Sequence, residues 1–224
     1  MHCAEGGGGA REIIKDGLFD KFPVDAVFGL HNWPGMAVGK AAVSAGPVMA
    51  SSNEFKITIR GKGSHAALPH NGIDPVPIAC QLVQAFQTII TRNKKPVDAG
   101  VISVTMLQAG EATNVVPDFC VMQGTVRTFS VAVLDMIEQR MREVAQHTSA
   151  AFGASCEFEF ERNYPPTINH EAQAQFAREI MAEIAALTPS YAGVTFERLE
   201  RGETFQPLKG HPRSEEHTSA LQSH

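Results

Sequence analysis

The chain has 224 residues, 43% hydrophobic and 19% charged, with a formal net charge of −5. That composition suits one or two globular domains with a sizeable core. The acidic balance, with basic features as short as Lys94–Lys95, argues against a nucleic-acid surface, and no apolar run approaches the ~20 residues of a membrane span.

The opening residues, rich in glycine, do not read as a secretory leader. Cys3, Cys80, Cys120 and Cys156 form no C-x-x-C pair, and Cys80 and Cys120 sit in apolar patterns as expected for buried thiols. A reducing, cytoplasmic setting is the expectation.

Taken in chain order, Gly6 to Gly9 lead into a short helix over 10–18, with Gly17 near its end. "DAVFGLH" (25–31) is an apolar run of strand type, followed by the turn "NWPG". Residues 36–50 are small and apolar and predict one or two strands. In 53–61, Phe55, Ile57 and Ile59 alternate with Glu54, Lys56, Thr58 and Arg60, the pattern of a half-buried strand. Residues 74–92 open on Asp-Pro and repeat apolar side chains at helical spacing. Strands are expected over 100–110 and 118–129. An amphipathic helix over 132–152 has Leu134, Ile137, Met141, Val144, Ala145 and Thr148 along one side. A strand over 156–163 turns Phe158 and Phe160 inward. A last helix, 170–187, has Asn169 as its expected N-cap.

From 53 onward the order is strand, helix, strand, strand, helix, strand. This is the split βαβ, ferredoxin-like pattern, with each helix able to cover one face of a four-stranded sheet. The fold class expected is α/β, with the ferredoxin-like block (52–163) inserted between pieces of a different α/β domain at 1–51 and 164–187. Residues 188–212 follow no pattern. The tail "RSEEHTSALQSH" (213–224) resembles the translation of a sequencing adapter and is excluded from the fold.

Several residues can carry chemistry. Glu5, at a Gly-rich helix entry, is explained by the helix dipole alone, worth ~0.3–1 kcal/mol; a carboxylate there argues against a phosphate cradle. His31 ends an apolar run, where sites gather in α/β proteins, yet a lone histidine there is more often a surface residue. Together Glu5 and His31 suit a divalent ion such as zinc or manganese, although two ligands are not a site. The loop "GKGSHAALPHNGIDP" (61–75) presents His65 and His70 on a rigid connection. "GEATNVVPD" (110–118) holds Asn114, a turn former or a binding residue. "GTVRTF" (124–129) places Arg127 on a strand, as a surface residue or a carboxylate clamp.

Together, "AEGGGGA", "HNWPG", "GKGSHAALPHNGIDP", "ATNVVPD" and "GTVRTF" occur in an order and at spacings that resemble the hippurate hydrolase / N-acyl-amino-acid amidohydrolase subfamily of the aminoacylase–ArgE–DapE metallopeptidases. The resemblance runs from about residue 4 to residue 187. It implies a metal-binding α/β catalytic domain with an inserted ferredoxin-like dimerisation, or lid, domain. It further implies two divalent metals per site (Zn, Mn, Co or Ni), with Glu5 and His31 as ligands. His65 resembles the lid histidine that reaches the partner subunit's site and stabilises the oxyanion. Asn114 and Arg127 resemble the residues that hold the substrate carboxylate. The implied general base falls on residue 4, which is Ala4 here. The implied substrate is a small N-acyl or N-aroyl amino acid, and the implied assembly is a homodimer through the lid. A non-catalytic ferredoxin-like dimerisation module, or a metallo-dipeptidase or carboxypeptidase, are the alternatives.

Overall fold

The structure is a computed structural model, and it describes residues 9–31, 33–36, 41–187 and 196–197. The chain divides into two compact units, Met1–Val48 with Thr167–His224 and Met49–Pro166. Among the described residues, no helix is long and apolar enough to cross a membrane.

In the first unit, α1 (Gly9–Lys15) and α2 (Leu18–Lys21) meet at Gly17, whose φ of 83° is the left-handed conformation that ends a helix cheaply only in glycine. Strands β1 (Ala41–Ala42) and β2 (Gly46–Met49) follow.

The second unit begins with β3 (Ser52–Arg60) and the short β4 (Ser64–His65), and α3 (Pro75–Thr88) follows. The Asp74 side chain accepts from Val76 N–H at 2.9 Å, and Pro75 takes the first helical position, where it forfeits no bond. Then come β5 (Gly100–Ala109), β6 (Val115–Val116), β7 (Phe119–Thr128), α4 (Val131–Ala151) and β8 (Ser155–Tyr164). The chain returns to the first unit with β9 (Thr167–Asn169), α5 (Glu171–Leu187) and β10 (Phe196–Glu197). There β9 pairs with β2, and β10 runs parallel to β1.

The four-stranded sheet has the order β5-β7-β3-β8, each neighbour antiparallel. That is the ferredoxin-like order expected from the sequence. One face of the sheet packs on α3 and α4. Phe55, Ile57 and Ile59 from β3 meet Cys120, Met122 and Val126 from β7 and Ile78, Leu82, Phe86, Ile137 and Met141 from the helices. The Phe55 and Phe86 rings cross edge to face, 6.2 Å apart. Alternation sends the other side chains to the opposite face, where Arg60 pairs with Glu157 at 2.7 Å and Lys56 with Glu159 at 3.2 Å. Arg60 holds the Glu157 carboxyl below its ordinary range, although an exposed pair of this kind adds little stability.

Four expectations need correction. Residues 25–31 form no strand: no ladder partner meets them among the described residues, and Val27 and Leu30 are 70% and 91% exposed. Cys80 is exposed rather than buried, because the buried stripe of α3 runs Ile78, Ala79, Leu82, Phe86 and turns position 80 outward. On α4 it is Ser149, not Thr148, that continues the buried row Ile137, Met141, Ala145. Asn169 is not an N-cap: it ends β9, and its side chain donates to the Ser44 carbonyl at 2.9 Å.

Candidate functional site

The motif around His65 folds into a strapped turn at the end of β3. Gly61 and the Ile73 carbonyl approach so closely that a Cβ at Gly61 would lie 2.1 Å from that oxygen, so glycine is required. Lys62 and Ile73 exchange two backbone bonds of 2.9 Å. After Gly63 comes β4, which pairs antiparallel with β6, Ser64 opposite Val116 and His65 opposite Val115. This register brings the sequence-predicted His65 and Asn114 together: Ala66 N–H donates to the Asn114 carbonyl at 2.9 Å. Within the His65 turn, Leu68 N–H donates to the His65 carbonyl at 2.8 Å and Ala67 N–H to His65 Nδ1 at 3.1 Å.

His65 is exposed and lines an open hollow of about 460 Å³ with Gly63, Ser64, Val115, Val116, Pro117 and Asp118. His70 sits beyond it in the turn Pro69–Asn71, also exposed. The arrangement presents an imidazole on a turn tied by the backbone bonds of Gly61, Lys62, Gly63, Ala66, Ala67 and Leu68. It is suited to donating a hydrogen bond to a group that arrives from outside the unit.

Arg127 lies elsewhere. It pairs with Val101 at the end of the sheet where the chain enters and leaves the unit. At about 3.4 Å per residue, Phe119 and Arg127 are separated by about 27 Å along β7. His65 and Asn114 belong to the Phe119 end, so within one chain the structure does not bring Arg127 to them. Arg127 is half-buried, and its Nη1 donates to the Asn53 carbonyl at 3.4 Å. Burial pulls its guanidinium below its ordinary pKa, opposed by the Glu54 carboxylate.

Beside Arg127 lies a buried polar cluster that sequence reasoning missed. Asn53 Nδ2 donates to Ser51 Oγ at 2.9 Å and to the Val126 carbonyl at 3.0 Å, while the Ser51 and Thr128 hydroxyls share a bond of 3.1 Å. The cluster ties the start of β3 to the end of β7. Nothing in the local pattern marks it, because Asn53 and Val126 are joined only by sheet register.

Asp118 was also missed. Its carbonyl accepts from Gly61 N–H at 2.8 Å, and its Oδ1 accepts from Gly63 N–H at 2.7 Å. The available signal was the ending of "ATNVVPD", a stretch singled out for Asn114 alone.

In the first unit, His31 is exposed, its ring 6.3 Å from the Trp33 ring at 69°. Glu5 and Ala4 lie outside the described residues. Among the described residues, no three His, Cys, Asp or Glu side chains converge to hold a metal. The described residues therefore do not fit a metal centre by themselves, since a stable one needs three or more protein ligands.

Residues 50–153 match the peptidase dimerisation domain family. The chain is 41% identical over 196 residues to the N-acetyl-L-cysteine deacetylase of Bacillus subtilis, covering 86% of this chain and 47% of that protein. It is 41% identical over 164 residues to the N-acyl-L-amino acid amidohydrolase of Geobacillus stearothermophilus, covering 73% and 44%. A solved structure of a dinuclear metal-binding peptidase of the M20 family from Bacillus subtilis matches with a TM-score of 0.64 at 28% identity, over 96% of this chain and 58% of that one. The chain thus spans about half the length of the curated relatives it matches. Residues 50–153 thus belong to the peptidase dimerisation domain family, and the chain as a whole is similar to part of a peptidase of the M20 family.

Proposed function

We propose that this chain is part of a metal-dependent amidohydrolase that cleaves N-acyl or N-aroyl amino acids, of hippurate type, into a carboxylic acid and a free amino acid. The observation that carries this reading is the separation of two recognition groups toward opposite ends of β7. His65 with Asn114 stands beyond the Phe119 end of β7 and Arg127 near its other end, and Phe119 and Arg127 are about 27 Å apart by strand rise, far more than a small N-acyl amino acid can span. That spacing supports two sites per dimer, each taking Arg127 from one subunit and His65 with Asn114 from the other.

In this scheme Arg127 clamps the substrate carboxylate, for which a planar guanidinium offers two parallel bonds. The burial of Arg127 strengthens that pairing by reducing competition from water. Asn114 adds polar contacts beside His65. His65 donates to the amide carbonyl oxygen as it gains charge, a contribution typically worth ~2.7–4 kcal/mol. Divalent metals, with Glu5 and His31 among their ligands, supply the Lewis acid and activated water when bound. The relative named as a dinuclear metal-binding peptidase supports that requirement. The dimer forms through the edge strand β5, which exposes Val101, Met106 and Leu107 and whose outer backbone edge has no strand partner among the described residues.

The second reading, a non-catalytic dimerisation module, is favoured by Ala4 at the implied base position and by the absence of a metal cluster among the described residues. Assaying the protein encoded by the full reading frame against hippurate and N-acetyl amino acids, with and without chelator, separates the two. Hydrolysis abolished by chelator and restored by added divalent metal is expected. Chelator-insensitive hydrolysis, or none on any N-acyl amino acid, would contradict the amidohydrolase reading.

A further inference from the structure

We propose that Asp118 is the positioning residue of His65, holding its imidazole as a hydrogen-bond donor through Nε2. A neutral imidazole has one N–H and one lone-pair nitrogen, and its partners decide which is which. Ala67 N–H points at His65 Nδ1 at 3.1 Å, so Nδ1 is the acceptor and the proton resides on Nε2. Nε2–H is then the donor left to face an incoming carbonyl.

This tautomer survives only while the turn keeps its shape. The ladder that places His65 has two residue pairs, Ser64 with Val116 and His65 with Val115. A ladder so short specifies its own register poorly, and a slip of one residue would send His65 to the opposite side. Asp118 removes that freedom. It sits just past β6, the strand that opposes β4, and just before β7. Its carbonyl receives Gly61 N–H at 2.8 Å, and its carboxylate receives Gly63 N–H at 2.7 Å. One residue thus straps the chain at two points immediately before β4, the second bond being charge-assisted. Gly63 is matched to it: a Cβ there would lie 3.0 Å from Asp118 Oδ1 and 3.1 Å from the Val116 carbonyl.

The catalytic meaning of this strap rests on the reading of His65 as an oxyanion donor; the tautomer itself does not. Long-range ¹H–¹⁵N spectra of the 224-residue chain, recorded at a pH where histidine is neutral, read the imidazole directly. The His65 signals are assigned by their loss in His65→Gln. The wild type is expected to show a pyrrole-type Nε2 and a pyridine-type Nδ1. In Asp118→Ala both nitrogens shift toward the average of the two tautomers. Asp118→Asn, whose amide oxygen still accepts from Gly63 N–H, keeps the wild-type pattern. Gly63→Ala, which pushes the carboxylate away with Asp118 intact, shifts as Asp118→Ala does and decides the question if Asp118→Ala fails to fold. A wild-type proton on Nδ1, unshifted His65 nitrogens in folded Asp118→Ala or Gly63→Ala, or failure of Asp118→Asn to restore the pattern would overturn the proposal. Unshifted spectra would leave the hydrolase reading standing, and a failed hydrolysis assay would leave the spectra standing.

Discussion

At Gly124 an added Cβ would lie 2.0 Å from the Ser103 carbonyl oxygen and 2.6 Å from the Phe55 ring. Neither neighbour yields easily, since one is backbone of the adjacent strand and the other is core. Gly124→Ala is therefore expected to destabilise the second unit by about 1–3 kcal/mol, the usual cost of overpacking, read as a lower urea midpoint. A change below about 0.5 kcal/mol would mean the sheet accommodates the methyl. The sequence marked "GTVRTF" for Arg127, and the need for its glycine became visible only when β5 and β3 flanked β7. Asp118 makes the same point about function. Its bond to Gly63 joins residues 55 apart, so no local pattern could announce it. His65 and Asn114 were legible because their motifs are contiguous, whereas their adjacency depends on the β4–β6 pairing.

Helix α3 shows how much an element reveals of itself. Its apolar spacing, Asp74 cap and leading proline are local signals, and the helix forms where they place it. Leu82 is fully buried on the stripe facing the sheet, while Cys80, two positions earlier, faces water. Leu82→Ala is expected to cost about 2–5 kcal/mol, and Cys80→Ala to stay within about 0.5 kcal/mol. Comparable losses from both in denaturant titrations would contradict this orientation of the helix. Strands are legible by alternation only when a partner is at hand. Residues 53–61 alternate and pair on both sides; residues 25–31 are as apolar, but no partner strand meets them among the described residues. Asn169 was misread for a related reason, because the helix boundary falls one residue later than a capping role requires.

For the molecule as a whole, the first unit leaves Phe22, Val27, Phe28 and Leu30 more than half exposed, and the chain spans about half the length of the relatives it matches. We propose that other parts of a catalytic domain cover these residues and supply further ligands beside His31, since among the described residues no three ligating side chains converge. The central claim is that His65 serves a partner's site while His31 serves its own. Mixing subunits tests it most directly. In the protein encoded by the full reading frame, His65→Ala and His31→Ala are each expected to lose most hydrolytic activity alone. A randomly reassociated equal mixture should recover about a quarter of wild-type activity, because half the dimers are mixed and each of those pairs one intact His31 with its partner's intact His65. A mixture that stays as inactive as either variant, although dimers exchange, would contradict the assignment of His65 in trans.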